Sequence, residues 1–138
     1  MTFREKSAWA MGALTLVTGV WWLRHTLALP TDAPALAYLG PLVPYVLAVV
    51  VGSIAIQSAL AVWMPREADS PADERERPLI DRAGNWSGVV LGVAMVTGAI
   101  QYLTTGQGGV LFQWVIGGLI LSQLAEYAFQ IALFRRGH

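Results

Sequence analysis

The chain has 138 residues, 55% of them apolar and 13% charged, with equal numbers of basic and acidic side chains and no cysteine. A soluble domain carries about a quarter charged residues; here the charges gather in short clusters between long apolar runs, which places the chain among membrane proteins of a single domain. Zero net charge leaves no basic surface for nucleic acid, and the lack of cysteine excludes disulfides, iron–sulfur clusters and thiolate metal sites.

A membrane-spanning helix needs roughly 20 mainly apolar residues. The first predicted span runs from about Ser7 to Leu29, with Arg24 and His25 near its far end, where long side chains reach water. Arg4 and Lys6 precede it like a signal-peptide n-region. The apolar run after them is longer than a usual h-region and ends in Trp21-Trp22-Leu23-Arg24, so no cleavable signal is expected.

The second span lies in the uncharged stretch from Ala33 to Met64. Pro34, Pro41 and Pro44 crowd its start, and proline suits a first helical turn rather than an interior. The span is therefore predicted over about 43–64, with Thr31 to Gly40 as an interfacial loop.

Residues 65–82 form the strongly charged loop. Ser70-Pro71-Ala72-Asp73 reads as a helix start, with Ser70 as cap and Pro71 in the first position. Asp73, Glu74, Arg75, Glu76 and Arg77 are then predicted to form a short exposed turn ended by Pro78. The third span is predicted over about 83–102, and Thr104 to Gly109 reads as a polar, glycine-rich turn. The fourth is predicted over about 110–134. The expected fold is an all-α, four-helix transmembrane bundle.

Four spans put both termini and the central loop on one side. That side holds Arg4, Lys6, Arg66, Arg75, Arg77, Arg82, Arg135 and Arg136, and the other only Arg24, so the crowded side is expected to be cytoplasmic. Trp9, Trp63, Trp86 and Phe134 fall at inner ends, and Trp21, Trp22, Tyr45, Tyr102 and Trp114 at outer ends, as expected of interfacial aromatics. Val17-Thr18-Gly19 recurs as Val96-Thr97-Gly98, and Gln57-Ser58-Ala59 is loosely echoed by Gln123-Leu124-Ala125. Two related helical hairpins would explain both matches.

Gly84, Gly88 and Gly92 are spaced by four, and Gly12 and Gly19 belong to a similar small-residue stripe on the first span. Small residues let helix backbones approach in lipid, where apolar burial gives little drive to associate. These glycines are expected at helix contacts, either inside the bundle or between subunits.

Gly118, Ser122, Glu126 and Gln130 form a polar stripe on the fourth span, with Gln123 beside it and Gln57 on the second. A charge at the bilayer centre costs at least ~2–3 kcal/mol, so Glu126 should face the bundle or an aqueous cavity. It is expected either to pair with Arg4, Lys6 or Arg82, to bond to Gln57 in its protonated form, to serve a proton-coupled or cation-binding role, or to lie at a subunit contact. His25 and His138 lie outside any inward helix face, so neither haem nor metal is expected. No catalytic constellation is present, and no enzyme is expected.

The string from Pro71 through Asp73-Glu74-Arg75-Glu76-Arg77 to Ile80-Asp81-Arg82-Ala83, leading into an apolar helix, resembles a class of small bacterial membrane proteins. These have four predicted spans and a "DERE" or "DERD" motif before the third. The resemblance implies a bacterial inner-membrane protein and carries over no catalytic residue. Small multidrug exporters are also short four-span proteins with one membrane glutamate, but theirs lies in the first span and Glu126 in the fourth. The leading expectation is a non-enzymatic membrane protein acting by self-association or as an accessory or regulatory subunit, touching partners through Asp73 to Arg77. The alternative is a small ion- or proton-coupled transporter using Glu126, Gln57 and Gln123.

Overall fold

The computed structural model describes residues 2–30 and 32–136. Thr31, the first residue of the expected interfacial loop, and His138 lie outside them. The described residues are helical, with no strand: α1 Phe3–Leu27, a 3-10 turn Ala35–Tyr38, α2 Leu39–Trp63, α3 Pro65–Ala68, α4 Glu76–Thr105 and α5 Gly108–Arg136.

Local chemistry accounts for the boundaries. The Thr2 hydroxyl accepts from Glu5 N at 3.2 Å, which caps α1 and starts it four residues earlier than the apolar run. The charged loop is also shorter than expected. Ser70 does not cap a helix, since its hydroxyl donates to Glu67 O at 2.9 Å. Helix α4 starts instead at Glu76, just after Asp73, whose carbonyl accepts from Glu76 N and Arg77 N, while the Glu76 carboxylate accepts from Asp73 N at 3.4 Å. Pro78 falls in the first turn of α4, where no backbone donor is needed, and the helix runs through it. Glu74 and Arg75 thus form an exposed turn that leads directly into the third long helix, which Glu76 and Arg77 begin.

Helix α2 likewise begins before its prolines. The 3-10 turn and Leu39 lead in, Pro41 lies in the first turn, and Pro44 sits inside the helix. Two of the residues expected as loop, Leu39 and Gly40, are thus helical. At the α4–α5 turn, Gly106 adopts φ 69°, and its N–H donates to Tyr102 O at 2.7 Å, a left-handed cap that suits glycine.

The long helices pack in the order α2–α1–α5–α4. Helix α1 lies between α2 and α5, and α4 packs on the far side of α5. Among the described residues α2 and α4 do not pack extensively on each other, so the four long helices form an open row.

Neighbours are antiparallel. On α1, Glu5, Ala8, Thr15, Thr18, Gly19, Trp22 and Thr26 are buried at spacings of three and four, one face of a helix. A Cβ on Gly12 would touch Tyr127, one on Gly19 would overlap Ile120, and Trp22 reaches Gly117. At the far end Gln113 Nε2 donates to Thr26 O at 3.3 Å. Between α4 and α5, a Cβ on Gly98 would lie 2.6 Å from Trp114 Cβ, and one on Gly118 2.8 Å from Ala94 Cβ. Ser122 Oγ closes this seam by donating to Ser87 O at 2.9 Å.

Three helical segments are long and apolar enough to cross a membrane by length and composition: Ala35–Trp63, Glu76–Thr105 and Gly108–Arg136. In the first two of these, many large apolar side chains are exposed, among them Val43, Leu47, Val51, Ile54, Val89, Val93, Val96 and Ile100. That distribution fits a lipid surrounding, in which outward apolar groups carry no penalty. Trp22 and Phe134 depart from the expected aromatic belts. Trp22 is 1% exposed and Phe134 4%, so both are core residues.

Candidate functional site

The antiparallel order brings the first turn of α1, the end of α2, the charged loop and the end of α5 to one end of the molecule. There the loop is latched onto α1. Phe3 N donates to Glu67 Oε2 at 2.8 Å, Arg4 Nη2 to Ser70 O at 3.4 Å, and Lys6 Nζ reaches Met64 Sδ at 3.5 Å. Arg4 Nε lies 3.4 Å from Glu76 Oε2, and the Arg135 guanidinium sits 5.3 Å above the Trp9 ring.

This latch divides the acidic–basic string that the sequence offers for cytoplasmic contact. Glu76 holds Arg4 and the α4 start. Arg77 Nε donates to Ala72 O at 3.2 Å, and the Asp73 carboxylate accepts from Glu74 N at 2.7 Å. Glu74 and Arg75 are exposed and form no ion pair among the described residues. Part of the string therefore builds the fold, and only part is left over for a partner.

The polar stripe of α5 is not assembled into one site. Ser122 is spent on the α4 seam and Gln123 is exposed. Gln130 Nε2 donates to Glu126 Oε1 at 3.3 Å. None of the expected partners of Glu126 reaches it: Arg4 holds Glu76, no basic group lies within 4 Å of it among the described residues, and Gln57 Nε2 donates to Ser7 Oγ at 2.9 Å. Glu126, Gln57 and Gln123 are thus not joined by hydrogen bonds. Glu126→Gln preserves the oxygen that Gln130 uses and removes no salt bridge. It should change thermal stability in detergent by no more than about 1 kcal/mol. A larger loss would mean that the carboxylate charge itself holds the fold.

Sequence reasoning missed the more deeply buried acid. Glu5 is 6% exposed on the α1 face that packs on its neighbours. Its signal was position: with Ala8, Gly12, Thr15, Gly19, Trp22 and Thr26 it continues one run of three- and four-residue steps.

The glycines separate into two groups. Gly12, Gly19, Gly98 and Gly118 each have a side chain of another helix against them. A Cβ built on Gly84, Gly88 or Gly92 meets nothing within 4 Å. Their face of α4 is bordered by exposed Val89, Val93 and Val96, and α4 stands at an end of the helix row. Packing within the chain therefore does not use this stripe.

No family model, curated protein or solved structure matches the chain.

Proposed function

We infer that the chain is a four-span, non-enzymatic membrane protein that works through self-association, with the glycine face of α4 as its contact with a second copy. The observation that carries this reading is the unoccupied stripe of Gly84, Gly88 and Gly92 at the edge of an open helix row. In lipid, a smooth small-residue groove favours close backbone approach and van der Waals contact. Gly12, Gly19, Gly98 and Gly118, by contrast, already face side chains of neighbouring helices.

Helix α1 supports the fourth span. It is 25 residues long, matching α2, and lies flush against α5 from Gly12 to Thr26. Its lower apolarity comes from Arg4, Lys6, Arg24 and His25 near its ends and from Glu5, Thr15, Thr18 and Thr26, which are buried, while Leu16, Val17, Val20, Leu23 and Leu27 face outward. Thr15 and Thr18 donate to carbonyls one turn back, at 2.8 and 2.7 Å, so their hydroxyls need no water. With four spans, the distribution of basic residues favours a cytoplasmic latched end, and the resemblance around Asp73 to Ala83 favours a bacterial inner membrane. The exposed Glu74 and Arg75 would serve an accessory or regulatory role beside a cytoplasmic partner.

Native cysteine is absent, so single-cysteine cross-linking in membranes reads the contact directly. Gly88→Cys should give a disulfide-linked dimer, and Ile54→Cys, on exposed α2, should not. Equal cross-linking at both positions, or none at Gly88, would remove the α4 contact.

A further inference from the structure

The two arginines of α1 are twenty residues apart, which at 1.5 Å per residue separates them by about 30 Å along the axis, the thickness of a bilayer's hydrocarbon core. Arg4 is neutralised by Glu76 at 3.4 Å. Arg24, one turn before the opposite end of α1, has no acid within 4 Å among the described residues. A guanidinium at the edge of a low-dielectric layer is strongly favoured by a counter-charge.

The ground beneath Arg24 is shaped. A groove of about 360 Å³ between α1 and α2 is lined by Val17, Thr18, Trp21, Pro44, Tyr45 and Ala48. It is nearly devoid of polar surface and shares Val17 and Trp21 with a second hollow of about 530 Å³ under Arg24 and His25. Trp21 and His25 stack with centroids 4.1 Å apart, and the His25 ring is pinned by a 2.7 Å contact from Nδ1 to Trp21 O. The apolar groove thus adjoins, through Val17 and Trp21, a more polar hollow beneath the stacked aromatic pair, where Arg24 stands with no acid within 4 Å among the described residues.

We propose that this groove binds one anionic phospholipid of the outer leaflet, its phosphate on Arg24 and an acyl chain along Val17, Trp21, Tyr45 and Ala48. The inference rests on α1 crossing the membrane. Charge complementarity selects the occupant: a transmembrane helix of another chain would fill the groove but leave Arg24 unpaired, whereas a phospholipid supplies both the chain and a phosphate that a guanidinium can grip with two hydrogen bonds.

The test is native mass spectrometry of the detergent-solubilised protein titrated with phosphatidylglycerol or with diacylglycerol of the same chains. The wild-type chain should retain phosphatidylglycerol, and diacylglycerol should be lost. Arg24→Gln should weaken phosphatidylglycerol retention by about tenfold or more, the scale of a lost charge-assisted hydrogen bond. Arg24→Lys should keep part of it, and Arg136→Gln, at the other end, should leave it unchanged. Equal retention of both lipids, or no effect of Arg24→Gln in a protein that still elutes as a single species, would overturn the site. Leu36→Cys, in the connection after α1, should label from outside intact cells. Labelling from the cytoplasmic side would remove the span itself, and with it the lipid site.

Discussion

Gly98→Leu is expected to break the α4–α5 contact, whereas Gly88→Leu on the same helix should leave the monomer folded. The two glycines lie ten residues apart on α4, and their surroundings differ. A Cβ on Gly98 would stand 2.6 Å from Trp114 Cβ and 3.2 Å from its Cγ. Those atoms are anchored close to the α5 backbone, so they cannot swing aside, and a leucine would force the helices apart. Overpacking of this kind costs about 1–3 kcal/mol and occasionally more, which thermal unfolding followed by circular dichroism in detergent would register. At Gly88 the new side chain meets open space. There the exchange removes a poor helix former, worth about 0.8–1 kcal/mol in a helix interior, so monomer stability should hold or rise slightly. What Gly88→Leu should abolish is dimer formation. If instead it unfolds the monomer as Gly98→Leu does, the open face is used within the chain and the self-association reading fails.

That contrast also marks how far the chain could be read without its structure. The three segments from Ala35, Glu76 and Gly108 announce themselves by unbroken apolarity over membrane length. Their ends were harder. Capping by Thr2 and by the Asp73–Glu76 pair depends on a few hydrogen bonds that apolar runs do not report, and Pro78 looked like a stop because its place in the first turn was unknown. The glycine stripes were legible as small-residue faces, but which face meets a neighbour depends on how each helix is rotated. Rotation follows from the whole row, in which α5 claims the Gly98 side of α4 and leaves the Gly84 side open. The same ignorance of rotation misplaced Trp22, which follows exposed Trp21 in sequence but, about 100° further round the helix, is buried. It also hid Glu5 behind the more conspicuous Glu126, because α1's buried polar residues lower its apolarity and blur where it begins.

Trp22 should prove the most costly side chain to truncate, yet its indole nitrogen should contribute nothing. It is 1% exposed, with its ring against Gly117 on α5 and 6.3 Å from the Tyr45 ring on α2, so it fills the junction where α1 meets both neighbours. Trp22→Ala would empty that junction, and deletion of a buried tryptophan costs about 3–5 kcal/mol. Among the described residues, Trp22 Nε1 is buried without a hydrogen-bond partner, as is Thr26 Oγ1 one turn further on. A buried donor left unsatisfied carries a desolvation cost of about 1–3 kcal/mol, which disappears when an apolar group of similar shape replaces it. Trp22→Phe gives up some packing but also that unpaired N–H, so its loss should stay well below that of alanine. Thr26→Val keeps the shape and removes the unpaired hydroxyl, and should raise the melting temperature. Thr18→Val is the control, because its hydroxyl donates to Leu14 O at 2.7 Å and the exchange strips that carbonyl of a bond. If Trp22→Phe proved as damaging as Trp22→Ala, or Thr26→Val destabilised the protein, the two polar atoms would have to be bonded to a water or a bound molecule at the α1–α2–α5 junction.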